Sequence, residues 1–358
     1  MLNSRQKQDY RMYDDESFFI TTLDVKDHAE ELEEIRQFLT HCQLGMDNDV
    51  NTFVVGRHGG HLVACAGLAS NTIKCVAVDP EFRDLNLGVR MVNEVVQLAA
   101  DRGTFHLFLY TKPDNIAIFR GCGFYPIASY DETAVLMENT PIGIKQYCQT
   151  LSALRQPGEH IGSIVMNANP FTLGHRYLAE QAAGASDWLH IFVVREDVSF
   201  FPYSERLEMV QKGVEHIPNL TVHPGSDYMI SKATFPGYFL KEEKLITQAH
   251  AAIDLIIFRQ YIAPALGINQ RFVGTEPFCP VTYQYNQDMH YWLEQDGKVK
   301  APALKVIEIE RTCEHSGRAI SASEVRKLLK LRQLDPIRDM VPPTTLQHLQ
   351  RYCEPQYA

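Results

Sequence analysis

The sequence predicts two α/β domains: an α+β domain over residues 1–140 and, over 161–358, an open parallel sheet with helices on both faces. Three observations predict this. The chain has 358 residues with 45% hydrophobic content, more than one ordinary domain needs, so two cores are expected. Strand-like and helix-like apolar patterns alternate through the second half, as they do where parallel strands are joined by helical crossovers. Between the halves, residues 141–160 lose their periodicity and contain Gln156-Pro157-Gly158. A linker is expected there.

In the first half, Phe18–Leu23 reads as a strand, followed by a helix with Leu32, Ile35, Phe38 and Leu39 on one face. Thr52–Val55 and Leu62–Ala66 flank Arg57-His58-Gly59-Gly60, a hairpin with a glycine turn. Ile73–Val78 is a strand, Gly88–Ala100 a helix with Val92, Val95, Val96 and Ala99 inward, and Phe105–Tyr110 a strand. A helix around Asn115–Arg120 ends at Gly121. In the second half, strands are expected at Ile161–Met166, Leu189–Val194, Leu220–His223, Asp254–Phe258, Arg271–Gly274 and Lys305–Ile309. Helices are expected from Gly174 and from Ser204, the latter with Leu207, Val210 and Val214 on its face.

Composition narrows the function. A net charge of −10 argues against a nucleic-acid surface. The eight cysteines are scattered without a C-x-x-C pair, which fits a reducing, cytoplasmic setting and offers neither a zinc framework nor a disulfide scaffold. No apolar run approaches a membrane span, and the first 18 residues have no apolar core of the kind a signal peptide needs. No metal-ligand set is expected.

Two segments carry chemistry. Asn169-Pro170-Phe171-Thr172-Leu173-Gly174-His175 turns from a buried strand into a helix, and Ile320-Ser321-Ala322-Ser323-Glu324-Val325-Arg326 opens another helix. A helix start offers unpaired N–H groups and a partial positive charge, and so binds phosphate. Gly174 permits close backbone approach to a phosphate. His175 would then aim an imidazole N–H at an α-phosphate, where charge grows in the transition state. Ser321 can cap its helix, Ser323 can reach the same anion, and Arg326 suits a departing pyrophosphate. Each motif alone is better explained by a plain cap or turn and a solvated side chain. Both together, at the carboxyl ends of strands where ligands sit on such sheets, point to ATP. Asn169, Pro170, Phe171, Gly274 and Glu276 are expected to line the nucleotide pocket, with Thr172, His175 and Arg326 as the catalytic set. Arg195 after the second strand and the segment Phe278–Tyr283 are further candidates, for a phosphate contact and for a lid. An acidic chain that uses ATP is expected to take it with Mg2+.

These strings resemble the (H/T)xGH and ISxSxxR signatures of the nucleotidyltransferase superfamily, a Rossmann-like fold, with Thr172 in the first position of the former. In the first half, Val76 through Arg83, followed by Leu87-Gly88-Val89, resembles the core motif of GNAT acetyltransferases. The resemblance implies that Val78, Arg83, Gly88 and Asn115 hold the pyrophosphate and pantetheine of a CoA-like arm. Asn86 stands where that motif has its first glycine, and Asn tolerates left-handed backbone angles. Phe119 stands where many such enzymes have a tyrosine that protonates the departing thiolate. A domain that binds a thiol arm without transferring acetyl groups itself is therefore expected.

The combination resembles the citrate lyase ligase family over nearly the whole chain, and Met166–His175 is the most specific string. The resemblance implies that ATP and acetate form acetyl-adenylate. The acetyl group then passes to the thiol of the CoA-like prosthetic group on the acyl-carrier subunit of citrate lyase. Three alternatives remain open at this point: adenylyl transfer to a phosphate-bearing cofactor precursor, an active N-terminal acetyltransferase that makes the enzyme bifunctional, and a non-catalytic acyl-CoA sensor.

Overall fold

Seven strands of the first half form one sheet in the order β1-β2-β3-β4-β5-β7-β6 of a computed structural model, which describes residues 18–195, 199–230, 235–240, 242–276, 280–310 and 320–353. The strands are β1 (Phe18–Asp24), β2 (Thr52–His58), β3 (His61–Ala69), β4 (Thr72–Val78), β5 (Phe108–Thr111), β6 (Tyr125–Tyr130) and β7 (Ala134–Glu138). Three helices accompany them: α1 (Ala29–His41), α2 (Leu87–Asp101) and α3 (Ile116–Gly121). β1 to β4 pair antiparallel and β4 pairs β5 in parallel. The Gly59-Gly60 turn joins β2 and β3, with φ of 57° and 86° at the two glycines. The amphipathic patterns act largely as expected: Ile35, Phe38 and Leu39 of α1 and Val92, Val95 and Ala99 of α2 are buried, together with Met91, while Leu32 and Val96 are half-buried.

Two strands escaped the sequence reading. β7 is buried throughout, so Ala-Val-Leu-Met-Glu shows no alternation. β6 carries Pro126 and occupies the end of the sheet, where a missing donor is tolerated. The expected linker at 141–160 is also not irregular. It contains α4 (Gly143–Ser152), a ten-residue helix that buries Ile144 and Leu151.

The second sheet has five strands, all parallel, in the order β10-β9-β8-β11-β12. They are β8 (Ile161–Met166), β9 (Trp188–Val193), β10 (Leu220–His223), β11 (Gln270–Gly274) and β12 (Lys305–Ile309). The helices are α5 (Leu173–Gly184), α6 (Tyr203–Val214), α7 (Glu243–Ile257), α8 (Ala263–Leu266), α9 (Pro280–Met289), α10 (Ala322–Lys330) and α11 (Pro343–Gln350). The expected strand at Asp254–Phe258 is instead the end of α7 and the start of a π-helical turn over Phe258–Ile262. A short apolar run does not distinguish a buried strand from a buried helix. Here α7 is buried nearly all round from Ala249 to Ile257, so the run lost its helical period.

Contacts divide the chain into two compact units. The first gathers residues up to Tyr125 with Met137–Thr140 and Pro236–Lys241; the second takes the rest. In the second sheet the chain moves outward from β8 to β9 and β10, then returns to the other side of β8 at β11. That reversal makes the crevice between the carboxyl ends of β8 and β11 the place where an open parallel sheet receives a ligand. One hydrophobic core serves both motif-bearing helices, since Ala179, Ala182 and Ala183 of α5 and Val325 and Leu329 of α10 belong to the same buried cluster.

Candidate active site

The exit of β8 is built residue by residue around a helix cap. Thr172, only 2% exposed, is the N-cap of α5 in extended geometry (φ −113°, ψ 169°). Its Oγ1 accepts from the His175 backbone N–H at 3.4 Å, and its own backbone N–H donates to His175 Nδ1 at 3.1 Å. The two residues form a reciprocal capping box, with histidine in the place usually taken by Glu or Gln. The arrangement fixes the tautomer. A backbone N–H can only donate, so Nδ1 presents its lone pair; the Thr172 hydroxyl, 2.9 Å from the same nitrogen, fits as a second donor, and in the neutral ring the proton then sits on Nε2. His175 therefore offers an Nε2–H donor at the start of a helix.

Phe171 supports that ring. It is fully buried and stacks on His175 at 5.7 Å between centroids and 19° between planes. Beneath it, a Cβ on Gly213 of α6 would come within 2.3 Å of the Phe171 ring, so Gly213 gives the ring its seat. Gly174 is different. A Cβ there would meet Thr172 Oγ1 at 3.6 Å and the Ile320 carbonyl at 3.9 Å, which are ordinary contacts. The protein itself does not require glycine at that position.

The second motif meets the first. Ile320 lies against Gly174, and Arg326 Nη1 donates to the Asn169 carbonyl at 2.5 Å. Ser321 occupies the N-cap position of α10, but the expected cap is not formed. Its hydroxyl pairs with that of Ser323 at 2.7 Å, and no side chain caps the helix there. Serines at such a position choose between a helix N–H and a neighbouring hydroxyl, and here the neighbour wins. Partial burial lowers the Arg326 guanidinium from its usual value.

Asn169 accepts from the Phe201 backbone N–H through Oδ1 at 3.2 Å, and its peptide bond to Pro170 is cis. Gly274 ends β11, beside β8, and its carbonyl accepts from Asn286 Nδ2 at 3.1 Å. Glu276 follows, 8% exposed. Arg195, by contrast, is exposed and lies 4.0 Å from Asp227. Of the expected lid segment, residues 278 and 279 lie outside the described residues, and Pro280–Tyr283 begins α9.

Sequence reasoning missed Arg206. Fully buried on α6, it donates to the Asn167 carbonyl and Oδ1 at 2.8 and 2.6 Å, to the Val194 carbonyl at 3.0 Å and to the Phe201 carbonyl at 3.1 Å. It thereby ties together the exits of β8 and β9 and the loop before α6. Nothing local in Ser204-Glu205-Arg206-Leu207 marks it, because most of its acceptors, on Asn167 and Val194, lie far off in sequence. A cavity of about 180 Å³ lined by Pro126, Ile256, Trp292, Asp296 and Lys298 shares no residue with either motif.

In the first unit, Asn86 takes the left-handed conformation (φ 55°, ψ 23°) and precedes α2, so the turn survives the loss of its glycine. Gly88 sits in the first turn of α2 beside Val78, whose Cγ2 would be 3.6 Å from a Cβ at Gly88. Arg83 is exposed in the turn before it. Asn115 precedes α3 and donates through Nδ2 to Thr111 Oγ1 at 2.9 Å. Phe119 is buried, 7% exposed.

Two helix starts, those of α5 and α10, meet at the switch point of a parallel sheet, the place where an α/β enzyme of this architecture takes its ligand, and an α+β domain precedes it. Residues 161–349 match the family model described as the citrate lyase ligase C-terminal domain, and residues 10–124 match that of the acetyltransferase (GNAT) family. The chain is 51% identical to a citrate (pro-3S)-lyase ligase of Escherichia coli K12, over 90% of this chain and 91% of that protein. It is 47% identical to those of Klebsiella pneumoniae (91% and 94% covered) and Haemophilus influenzae (91% and 97% covered). The chain belongs to the citrate lyase ligase family, and it is an ATP-dependent ligase.

Proposed function

We propose that this chain joins acetate to a protein-borne thiol at the expense of ATP, with acetyl-adenylate as the intermediate. A carboxylate oxygen of acetate attacks the α-phosphorus while the bond to pyrophosphate breaks. The thiol sulfur then attacks the acetyl carbon and AMP leaves. The acceptor in this reading is the CoA-like prosthetic group on the acyl-carrier subunit of citrate lyase.

One observation carries the reading: His175 holds an Nε2–H donor at the N-terminus of α5, against the start of α10. A donor locked before the reaction stabilises charge that grows on the α-phosphate. Thr172 fixes the ring, while Asn169, Pro170 and Phe171 shape the β8 exit beneath the nucleotide. Gly174 leaves the backbone of α5 open to phosphate, and Gly274 and Glu276 flank the crevice from β11. Ser321, Ser323 and Arg326 receive the β- and γ-phosphates. For Arg326 this means releasing the Asn169 carbonyl to a better, charged acceptor. The donors gathered here are hydroxyls, amides and one guanidinium. Among the described residues no cluster of three or more His, Cys, Asp or Glu side chains is placed to hold a metal ion. Mg2+ in this reading would come with the nucleotide and screen the charge of its triphosphate.

In the first unit, Val78, Arg83, Gly88 and Asn115 receive the thiol arm, with its pyrophosphate at the N-terminus of α2. The buried phenyl of Phe119 can give no proton to a thiolate, so this unit is an arm site rather than an acetyltransferase. The test is exchange of labelled pyrophosphate into ATP across a panel of short carboxylates. Exchange should require acetate. Exchange only with a phosphate-bearing acceptor, and none with any carboxylate, would replace this reading with adenylyl transfer to a cofactor precursor.

A further inference from the structure

The sheet of the first unit has a gap, and the chain fills it with its own side chain. β4 and β5 pair at only two positions, Thr72 with Phe108 and Ile73 with Leu109. β4 is then irregular: Gly67 of β3 faces Lys74 and Cys65 faces Ala77, so Cys75 and Val76 together stand opposite Ala66. Cys75 takes a φ of 55°. Such a bulge bends its strand and ends local pairing. Beyond it, β4 and β5 share no further ladder positions, and their facing N–H and C=O groups need other partners.

Residues 236–240 supply them. They follow β10 in sequence, yet they pack within the first unit. The Tyr238 hydroxyl donates to the Tyr110 carbonyl on β5 at 3.0 Å. The Cys75 amide on β4 favours the ionised form of the same oxygen, but burial outweighs it and pushes the phenol well above its usual value. The Gly45 N–H donates to the Tyr238 carbonyl at 2.7 Å, and the Gly237 N–H donates to Asp47 Oδ1 at 3.1 Å. Asp47 is tied to β4 through the buried Lys74, at 3.1 Å. Phe239 packs edge-on against Tyr238, with centroids 5.2 Å apart.

β4 runs from this gap to Val78, which touches Gly88 at the start of α2. An extended amide chain whose pyrophosphate rests at that helix start would run back along β4 towards Cys75. It would there meet the ring of Tyr238. We propose that Tyr238 determines what the first unit accepts. Its ring closes the β4–β5 gap to free CoA-like thioesters, and a thiol arm enters only by displacing residues 236–240. This rests on the first unit being the arm site, as proposed above.

The test is calorimetric binding of dephospho-CoA to the full chain. Tyr238→Ala removes the ring and its hydrogen bond, and should tighten binding roughly tenfold or more. Tyr238→Phe keeps the ring and loses only the hydroxyl, and should tighten it by roughly threefold. Adding Gly88→Glu to Tyr238→Ala should return binding to the wild-type level or below, because a carboxylate there repels pyrophosphate. A Cβ at Gly88 makes only an ordinary contact, so the side chain fits. If wild type and Tyr238→Ala bind equally and Gly88→Glu weakens both, the arm site stands and the Tyr238 proposal falls. If Gly88→Glu weakens neither, or no variant binds, the arm site itself falls and the proposal with it. Should Tyr238→Ala lose its cooperative melting transition, a folded Tyr238→Phe with unchanged affinity is sufficient to overturn the proposal.

Discussion

The two units solve the same problem in opposite ways. Each delivers a strand into a helix whose first N–H groups suit a phosphate: β4 into α2 and β8 into α5. In the second unit the helix start is held by the motif residues themselves. Thr172 and His175 cap each other, Phe171 stacks on His175, and Arg326 reaches back to Asn169. In the first unit Asn86 turns the chain without a side-chain cap, and the neighbouring sheet gap is closed by Tyr238 from residues far along the sequence. Where a side chain is both cap and donor, a site is preorganised and its chemistry and stability cannot be separated. Where backbone groups are satisfied by a separate segment, a site can open.

His175→Ala is the sharpest way to break that contrast. Losing one preorganised donor costs about 10²–10³ in rate, so acetate-dependent pyrophosphate exchange should fall by that factor. Unfolding stability, read from melting curves, should drop only by what a lost cap costs, about 0.5–2 kcal/mol. Unchanged exchange would remove His175 from the chemistry and leave it a cap alone. Next comes Arg326→Ala. A charge-assisted contact contributes about 1.5–3 kcal/mol, so kcat/KM for ATP should fall about tenfold or more in steady-state assays. An unaffected enzyme would make the Asn169 contact purely structural.

Gly213→Ala tests the seat of the Phe171 ring without touching either motif. Overpacking a buried site costs about 1–3 kcal/mol, visible in urea denaturation, and exchange should slow as the ring under His175 shifts. Full activity and stability would mean that the ring is free to move. The smallest expected effect is one of pH. His190 and His223 are buried on β9 and β10 and share a hydrogen bond of 2.8 Å. Burial lowers both imidazoles to about 4, against an unfolded value of about 6.5. Between those values the unfolded chain binds more protons than the folded one. Stability present above about pH 6.5 should therefore be lost as pH falls towards 4. Melting curves across that range would show it, and replacing both histidines by leucine should flatten the profile.

The sequence by itself determined the alternation of the second half, the amphipathic faces of α1, α2 and α6, and the placing of both motifs at helix starts. These depend on neighbours within a few residues, through helical period, strand apolarity and cap chemistry. Where burial removed the period, reading failed: Asp254–Phe258 is helix, β7 shows no alternation, and α4 lies within an apparent linker. Ser321 could be placed at a cap but not given its partner, because a helix N–H and the Ser323 hydroxyl compete for its oxygen within one turn. Only the tertiary structure decided that Arg206 gathers three strand and loop exits, that Ile320 meets Gly174, and that Tyr238 closes a gap in a sheet far away in sequence. Each of these joins segments remote in sequence, and one residue's local sequence carries no record of which distant group it will meet.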